Sequence, residues 1–375
     1  MRPADEASLA GWDAVAVDGP GGNVLQSLAW GRHRARFGWT PRHLRTDDGL
    51  PVLALARPWR LGPGGSAYLS RGPVPAGSPA TTAARLIEAA GWLAGDGIDV
   101  IAADPEVPAD PAFARAVAAA GFHQIEELQP SRHRLDVALP DDGDADALLK
   151  SFSATTRNLV RQAQRQDLVV RRIDRRPSPH AAQPEELPAV VDRGAEDARL
   201  AALYDLLADT ARRRSFWLAG RATFDSWTSE ALAAGHLVAL LVEDSGGELL
   251  AGATFHRQGN RLTYALSGEA ESARKASPGA TRLLLWQAMR LAMAEGRAIM
   301  DLGGVDVRGA RRRPRAGEPE HGMLAFKESF GATWVELAGA HERVARPWRY
   351  ALGRLTGRLG SRAGTGSRVG REGAG

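Results

Sequence analysis

The order of strands and helices occurs twice along the 375-residue chain, and this repeat constrains the fold more than any other feature. Short apolar runs bounded by Gly, Pro or Asp predict strands, and amphipathic stretches predict helices. In the second half these patterns predict three strands, a helix, a strand, a helix and a closing strand, at 236–243, 249–257, 260–267, 279–295, 297–301, 322–329 and 333–337. In the first half they predict two strands, a helix, a strand, a helix and an extended stretch, at 51–57, 66–70, 80–94, 98–102, 111–119 and 122–128. We therefore expect two α/β units of similar order.

Two pairs of glycines align the two copies. Gly97 and Gly296 are 199 residues apart, and Gly121 and Gly331 are 210 residues apart. Each glycine follows a helix, at the position where a C-terminal cap favours glycine. The offset grows by 210 − 199 = 11 residues, so the second copy carries an insertion within 305–322. The alternative is a coincidence of the common α/β order.

The repeat divides the sequence into domains. We predict a first domain over residues 1–140, completed by a C-terminal helix near 342–360, and a second domain over residues 141–340. Between the two copies, 148–165 reads as one basic helix. Residues 361–375 contain Gly, Ser and Arg without periodicity, and we expect a disordered basic tail there.

Composition and charge exclude several classes of protein. The chain has no Cys, which excludes disulfide scaffolds, thiolate zinc sites and thiol nucleophiles. Its nine histidines form no HxH or HExxH spacing, so we predict no metal site. The net charge of +4 is the sum of +6 in residues 340–375 and −2 elsewhere, which argues against a uniformly basic nucleic-acid surface. Without a signal-like or 18-residue apolar stretch, the sequence predicts a cytoplasmic protein.

Strand, strand, helix, strand, helix, strand is the order of the GNAT acyltransferase fold, in which the acyl donor usually lies where the fourth and fifth strands separate. The predicted fold class is therefore α/β (α+β), with two tandem GNAT-like domains and mixed central sheets flanked by helices. GNAT members that use CoA carry a Q/R-x-x-G-x-G/A loop before the central helix, where amides hold the pyrophosphate. The corresponding stretches, 71–76 and 274–279, do not fit that spacing, and Pro278 lacks an amide donor. This argues against a CoA donor.

Six segments resemble one family, the Fem aminoacyltransferases of the peptidoglycan bridge, which use aminoacyl-tRNA. In family order they span about residues 23–355, and they are 25–39, 70–74, 156–163, 210–216, 300–304 and 324–331. The last segment, LAFKESFG, resembles the family's LxxFKxxFG signature in its FKxxFG part. Arg34 and Met300 stand where the family has Lys and Tyr, and Gln166 replaces a glycine. No heptad run is long enough for the family's coiled-coil arm, so the chain resembles armless members.

The resemblance implies an aminoacyltransferase of cell wall biogenesis. It would transfer glycine or another small amino acid from aminoacyl-tRNA to an amine of a peptidoglycan precursor peptide. No cofactor is implied, because aminoacyl-tRNA is a co-substrate. The implied acceptor is a nucleotide-linked or lipid-linked muropeptide, and a lipid-linked one would bring a monomeric cytoplasmic protein into peripheral contact with the inner face of the membrane.

The resemblance also implies roles for individual residues. Lys327 and Phe326, the FK pair, are implied to be catalytic. Arg34 and Arg213 match family positions that hold the phosphates of the muropeptide. The full set of implied substrate-binding residues is Arg34, Arg213, Tyr264, Thr210 and Trp217. We assign the phosphates of the tRNA acceptor stem to the arginines of the insertion, Arg308, Arg311, Arg312, Arg313 and Arg315.

Lysine usage supports the assignment of Lys327. Only Lys150, Lys275 and Lys327 occur among 48 basic residues, so a lysine is expected where a compact point charge is needed. Acyl transfer from an ester develops negative charge on the carbonyl and on the leaving oxygen, and a fixed ammonium stabilises both. The alternative for Lys327 is a surface lysine on a helix. For Arg34 and the arginines of the insertion the alternative is a solvated face.

Two aspartates carry open alternatives. Asp104 precedes Pro105, where a turn cap is favoured over a general base. Asp301 ends a strand before Gly303 and Gly304, where it fits either an active-site wall or hydrogen bonding to glycine amides.

Competing functions for the whole chain are an aminoacyl-tRNA-dependent amide ligase with a small-molecule acceptor, a CoA-dependent N-acyltransferase, and a binding module without catalysis.

Overall fold

The computed structural model describes residues 1–75, 77–129, 131–175, 187, 192–305 and 312–362. They form two compact units, Met1–Arg132 with Glu336–Gly375, and His133–Val335. The units therefore change at 132/133 and 335/336, whereas the boundaries predicted from the sequence are 140/141 and 340/341. Most of the expected C-terminal tail, from residue 363 onward, lies outside the described residues, and so do Arg308 and Arg311.

The first stretch of unit 1 follows the predicted order. Ser78 and Asp110 cap the two long helices through their side chains, and a proline follows each cap. Gly97 and Gly121 have positive φ after these helices, as their alignment requires. The elements are β1 (Arg2–Pro3), α1 (Glu6–Ala10), α2 (Trp12–Ala16), α3 (Leu28–Ala35), β2 (Thr40–Arg45), β3 (Pro51–Pro58), β4 (Gly65–Leu69), α4 (Pro79–Gly95), β5 (Val100–Ala103), α5 (Pro111–Ala119) and β6 (Phe122–Gln124).

Unit 2 contains the second copy of the repeat. Of the elements that precede this copy, the sequence predicts only a helix over 148–165. The elements are β7 (His133–Ala138), α6 (Ala145–Ser151), α7 (Ala154–Gln164), β8 (Val169–Asp174), α8 (Arg193–Arg214), α9 (Arg221–Ala233), β9 (Leu237–Glu243), β10 (Leu249–Gln258), β11 (Arg261–Glu269), α10 (Glu271–Ala276), α11 (Ala280–Ala294), β12 (Ile299–Asp301), α12 (His321–Glu328) and β13 (Thr333–Glu336). The single basic helix predicted over 148–165 is two helices, α6 and α7. Ser153 caps α7 by accepting a hydrogen bond from the amide of Thr156, and this cap starts a new helix.

The chain ends in unit 1 with β14 (His341–Val344) and α13 (Pro347–Arg362). Each unit has a seven-stranded sheet, in the orders β1-β2-β3-β4-β5-β14-β6 and β8-β9-β10-β11-β12-β7-β13. In both sheets the fourth and fifth strands run parallel. The sixth strand is β14 in the sheet of unit 1, although β14 follows unit 2 in the sequence, and it is β7 in the sheet of unit 2, although β7 directly follows the first stretch of unit 1. The repeat is thus confirmed, and each sheet is mixed.

Apolar side chains of the helices cover these sheets. In unit 2 the core includes Leu240, Phe255, Leu284 and Met289, all of them almost fully buried. Helix α11 contributes most of its length to this core because its apolar residues surround nearly the whole helix. No helix among the described residues is both long enough and apolar enough to cross a membrane.

Candidate active site

The central feature of unit 2 is the separation of two parallel strands. β11 and β12 pair at three positions, the last joining Thr263 to Asp301, where β12 ends. β11 continues to Glu269, so its edge beyond Thr263 has no strand partner on that side within the described residues. On its other side, the pairing of β10 with β11 shifts register between Thr254 and Phe255, which lies opposite Tyr264. The sheet therefore opens at the C-terminal end of β12.

A short turn after β12 forms one wall of this opening. The buried Asp301 accepts a hydrogen bond from the amide of Gly303 at 2.8 Å and one from the hydroxyl of Thr263 at 3.2 Å. Gly303 has φ +70°, a left-handed conformation that favours glycine. A Cβ atom there would lie 3.5 Å from the Tyr264 carbonyl oxygen and 3.6 Å from Lys327 Nζ. Of the two alternatives for Asp301, the structure shows the hydrogen bond to a glycine amide.

Lys327 points at this turn from α12. Its Nζ donates a hydrogen bond to the carbonyl of Gly304 at 3.0 Å, and the residue is only 6% exposed. Lys327 is therefore not the surface lysine of the alternative reading. Burial lowers the pKa of its ammonium to about 8, and the negative charge of Asp301 opposes that shift. An ammonium has three N–H donors, so this one keeps two beyond its hydrogen bond to Gly304 within the described residues.

Phe326 lies beside Lys327 in a cluster that sequence reasoning missed. The guanidinium of Arg282 lies 5.2 Å from the centre of the Phe326 ring, a cation–π arrangement. Arg282 Nε also donates to the hydroxyl of Thr156 at 3.4 Å, and that hydroxyl is 2.7 Å from Ser329 Oγ. These contacts join α7 and α11 to the end of α12. No spacing in the sequence signals them, because the residues come from three distant segments.

Arg213 is fixed at the far end of β11. Its Nε donates to Asp209 at 2.7 Å, and its Nη2 donates to the backbone carbonyl of Glu269 and to the hydroxyl of Thr210. Its Nη1 is buried and has no hydrogen-bond partner in the part of the chain that the structure describes. The guanidinium is thus held rigidly, and the two N–H groups of its buried Nη1 are unpaired within the described residues.

The other implied substrate-binding residues of unit 2 have different environments. Thr210 is buried, and its hydroxyl accepts a hydrogen bond from the amide of Glu269, so it positions α8 against β11. Trp217 is 46% exposed in the segment after α8, which leaves its ring open to a ligand. Tyr264 is half-buried, and burial raises the pKa of its hydroxyl to about 12, so it is neutral at physiological pH.

Arg34 lies in unit 1, on α3. Its guanidinium carbon is 5.3 Å from the ring centres of both Trp30 and Trp39. The residue is buried, so the solvated helix face that was its alternative is excluded. Two indole faces orient a guanidinium strongly, and arginine suits this stacking better than lysine does.

Two of the three arginines of the insertion that the structure describes are engaged in ion pairs. Arg312 forms an ion pair with Glu318, which lowers the pKa of that carboxyl to about 2. Arg313 forms an ion pair with Glu328. Arg315 is exposed, and within the described residues its side chain has no hydrogen bond or ion pair. Of the three described arginines of the insertion, Arg315 is therefore the most available to a phosphate.

The corresponding strand end of unit 1 is closed by Asp104. This fully buried carboxylate accepts hydrogen bonds from the amide of Arg71 at 2.7 Å and from the hydroxyl of Tyr68 at 2.9 Å. Burial raises the pKa of Asp104 to about 6. One oxygen of Asp104 thus caps the turn after β4, and the other holds the side chain of Tyr68 within that strand. Asp104 is a turn cap, as favoured, but the turn that it caps is the one after β4.

The start of α11 is covered by α7. A Cβ atom on Gly279 would lie 2.5 Å from the carbonyl oxygen of Leu159 and 2.9 Å from the side chain of Ala163. The helix N-terminus that would receive a CoA pyrophosphate is therefore packed against another helix.

Within the described residues, no group of His, Asp and Glu side chains is arranged to hold a metal ion.

Comparisons with known proteins agree with this architecture. Residues 150–312 match a family described as acetyltransferase (GNAT) domain. The crystal structure of FemX is 19% identical, with a TM-score of 0.74 over 94% of this chain and 99% of FemX. A conserved protein of unknown function from Bacteroides thetaiotaomicron is 13% identical, with a TM-score of 0.53 over 91% of this chain and 99% of that one.

L-PGS from Bacillus licheniformis is 11% identical, with a TM-score of 0.51 over 95% of this chain and 98% of its own. A sequence comparison with curated proteins gives no match. The shared sheet order of the two units and the likeness to FemX over nearly both whole chains confirm the predicted fold. The chain is a tandem GNAT-like protein with the fold of FemX.

Proposed function

We propose that the protein transfers an amino acid, glycine or another small one, from aminoacyl-tRNA to an amine of a peptidoglycan precursor peptide. The observation that carries this proposal is the buried ammonium of Lys327 at the separation of β11 and β12. A buried charge is costly to keep, so its presence in an opening of the sheet favours a catalytic role over a structural one. The FK segment and the FemX fold support the choice of donor and acceptor.

The chemistry needs little beyond positioning and charge. The acceptor amine attacks the ester carbonyl of the aminoacyl group, a C–N bond forms, and the C–O bond to the ribose breaks. The proton that the amine loses ends on the ribose oxygen. The ammonium of Lys327 would stabilise the negative charge that develops on the carbonyl and ribose oxygens. With a pKa of about 8, it can also supply a proton to the leaving oxygen near neutral pH.

The dimensions of unit 2 favour a long, anionic acceptor. From Tyr264, beside the turn that holds Lys327, to Glu269, which accepts from Arg213, β11 extends for about 16 Å. The buried Nη1 of Arg213, which has no hydrogen-bond partner among the described residues, therefore lies well away from the reacting position. An acceptor whose phosphate is separated from its amine by several peptide residues matches this spacing. A small-molecule acceptor would not reach both.

The donor and the acceptor can be tested together. Purified protein is incubated with charged tRNA and a nucleotide-linked muropeptide, with RNase-treated tRNA and acyl-CoA as parallel donors. Transfer that depends on intact tRNA and on the muropeptide supports the proposal. Transfer from acyl-CoA, or RNase-resistant transfer, would instead indicate a CoA-dependent N-acyltransferase. tRNA-dependent transfer to small amines alone would indicate the amide ligase.

The burial of Lys327 predicts a pH-dependent stability. The folded protein holds this lysine at a pKa of about 8, below its ordinary 10.5, so between these values the unfolded chain binds more protons. The wild type should therefore gain stability relative to Lys327→Met as pH rises from 8 to 10.5, by on the order of 3 kcal/mol. Urea unfolding across this range measures the difference. The exposed Lys150→Met is the matched control, and equal pH profiles for the two variants would contradict the burial of the charge.

We expect the arginines of the insertion to contribute unequally to the salt dependence of tRNA binding. Arg315→Gln should reduce the slope of log K against log[salt] by about 0.7–0.9, because one phosphate contact is lost. Arg312→Gln should change the slope less, because a phosphate would have to displace the ion pair with Glu318. Fluorescence titrations of tRNA at several salt concentrations measure these slopes, with the exposed Arg115→Gln of unit 1 as the control. An unchanged slope for Arg315→Gln would remove it from the tRNA site.

A further inference from the structure

The last helix of unit 1, α13, is fixed to the unit on one side. The hydroxyl of Tyr350 donates to Glu342 at 3.3 Å, and Arg349 lies 3.8 Å from the carboxylate of Asp99. Gly353 is buried and lies so close to Trp59 that a Cβ atom would come within 2.5 Å of the indole ring. Tyr350 and Gly353 therefore define the inner side of the helix.

The opposite side of α13 exposes large apolar side chains. Trp348, Leu352 and Leu355 are 65%, 46% and 58% exposed. Their spacing of four and three residues places them in one stripe along the helix. We name this stripe the α13 face. Exposed apolar residues that occur singly are ordinary, but three in one stripe on a terminal helix form a patch.

The charged residues of α13 itself all have one sign. Residues 347–362 contain no Asp or Glu and four arginines, at 349, 354, 358 and 362. The guanidinium of Arg354 lies 5.5 Å from the ring of Tyr350, and that of Arg349 lies 5.1 Å from the ring of Trp348. These two arginines are thus adjacent to the apolar stripe on either side. An apolar stripe bordered by arginines is the pattern of helices that lie in the interface of an anionic membrane.

We propose that the α13 face binds the surface of an anionic lipid bilayer. Trp348, Leu352 and Leu355 would enter the boundary between headgroups and acyl chains, and Arg354, which is exposed, would contact lipid phosphates. A second copy of this chain is disfavoured as the occupant, because two such faces would bring arginines together without acidic partners. RNA is disfavoured because phosphate binding alone leaves the exposed leucines without a role.

Vesicle binding by the full chain tests this surface without any substrate, and so independently of the proposed function. Purified protein is sedimented with vesicles of phosphatidylglycerol and phosphatidylcholine, and with vesicles of phosphatidylcholine alone. The wild type should bind the anionic vesicles more tightly. Trp348→Ser with Leu355→Ser should weaken that binding by about tenfold or more, because each side chain loses its transfer from water. Val15→Ser, at an exposed position of α2, is the control and should bind as the wild type does.

A labelled variant tests the orientation of the helix. The chain has no Cys, so Leu355→Cys provides a unique site for a polarity-sensitive fluorophore, with Val15→Cys as the matched control. Anionic vesicles should shift the emission of the label at position 355 to the blue and leave that at position 15 unchanged. Circular dichroism confirms that the variants are folded.

Three outcomes would overturn the proposal. The first is a wild type that does not bind anionic vesicles, and the second is a serine variant that binds them as well as the wild type. The third is a wild type that self-associates or binds tRNA through the α13 face, lost in the serine variant, with no vesicle binding.

Discussion

Replacing Lys327 with Ala should lower the rate of amino-acid transfer by about 10²–10³-fold, the usual cost of losing one fixed electrostatic stabiliser. Its ammonium sits in the opening between β11 and β12, where it faces the expected position of the ester. The thermal midpoint should change little, because two effects on the free energy of unfolding oppose each other. The loss of side-chain packing lowers it, and the removal of a buried charge raises it. Single-turnover transfer at saturating substrates measures the effect, together with a thermal scan.

Two further variants sharpen this result. Lys327→Arg should also fail, because a planar guanidinium does not fit where a compact ammonium donates to the carbonyl of Gly304. Lys150→Ala, at an exposed lysine of the same unit, should transfer at the wild-type rate. If Lys327→Ala keeps more than about a third of wild-type turnover, the electrostatic role assigned to it is wrong.

Arg213→Gln should raise the apparent KM for the muropeptide by about 10–100-fold, because a charge-assisted hydrogen bond to phosphate is lost. The KM for aminoacyl-tRNA should stay nearly constant, since the contact is made to one substrate. Initial rates with each substrate varied in turn measure both constants.

Arg213 also supports the fold, so two controls separate its roles. Thr210→Val removes hydrogen bonds that hold Arg213 and Glu269 but leaves the buried Nη1 of Arg213 in place. Arg212→Gln removes an exposed neighbouring charge that is paired with Asp209. Both should change the KM for the muropeptide much less than Arg213→Gln does. Equal effects of Thr210→Val and Arg213→Gln would mean that this arginine only positions α8.

The fold could be predicted from sequence where local patterns are strong. β9, β10, β11 and α11 occur within a few residues of their predicted positions, because apolar runs and helical periodicity determine them locally. β2 and β7 were missed, since Arg and His interrupt their alternation and no long apolar run marks them. The exchange of β7 and β14 between the sheets could not be predicted, because strand pairing at long range leaves no local signal.

The sequence predicts those residues of the candidate site that lie in recognisable motifs, but not their contacts with residues elsewhere in the chain. The FK segment points to Lys327, but its burial depends on the turn at Gly303 and Gly304, which lies more than twenty residues earlier. Likewise, a run of arginines predicts a positive loop, and only the structure shows that Glu318 partly neutralises it. Side-chain pairing across distant segments is decided by tertiary packing, and a single sequence does not record it.

The exchanged strands determine when unit 1 can finish folding during synthesis. Val100 of β5 pairs with Val344 of β14, and β6 pairs with the same late strand. A nascent chain must therefore leave the edges of β5 and β6 open until β14 has emerged from the ribosome. Open strand edges invite pairing with other chains, so this interval is the one in which a chaperone would matter most. For the same reason, a chain cut short before residue 341 loses the strand that joins β6 to the rest of its first sheet.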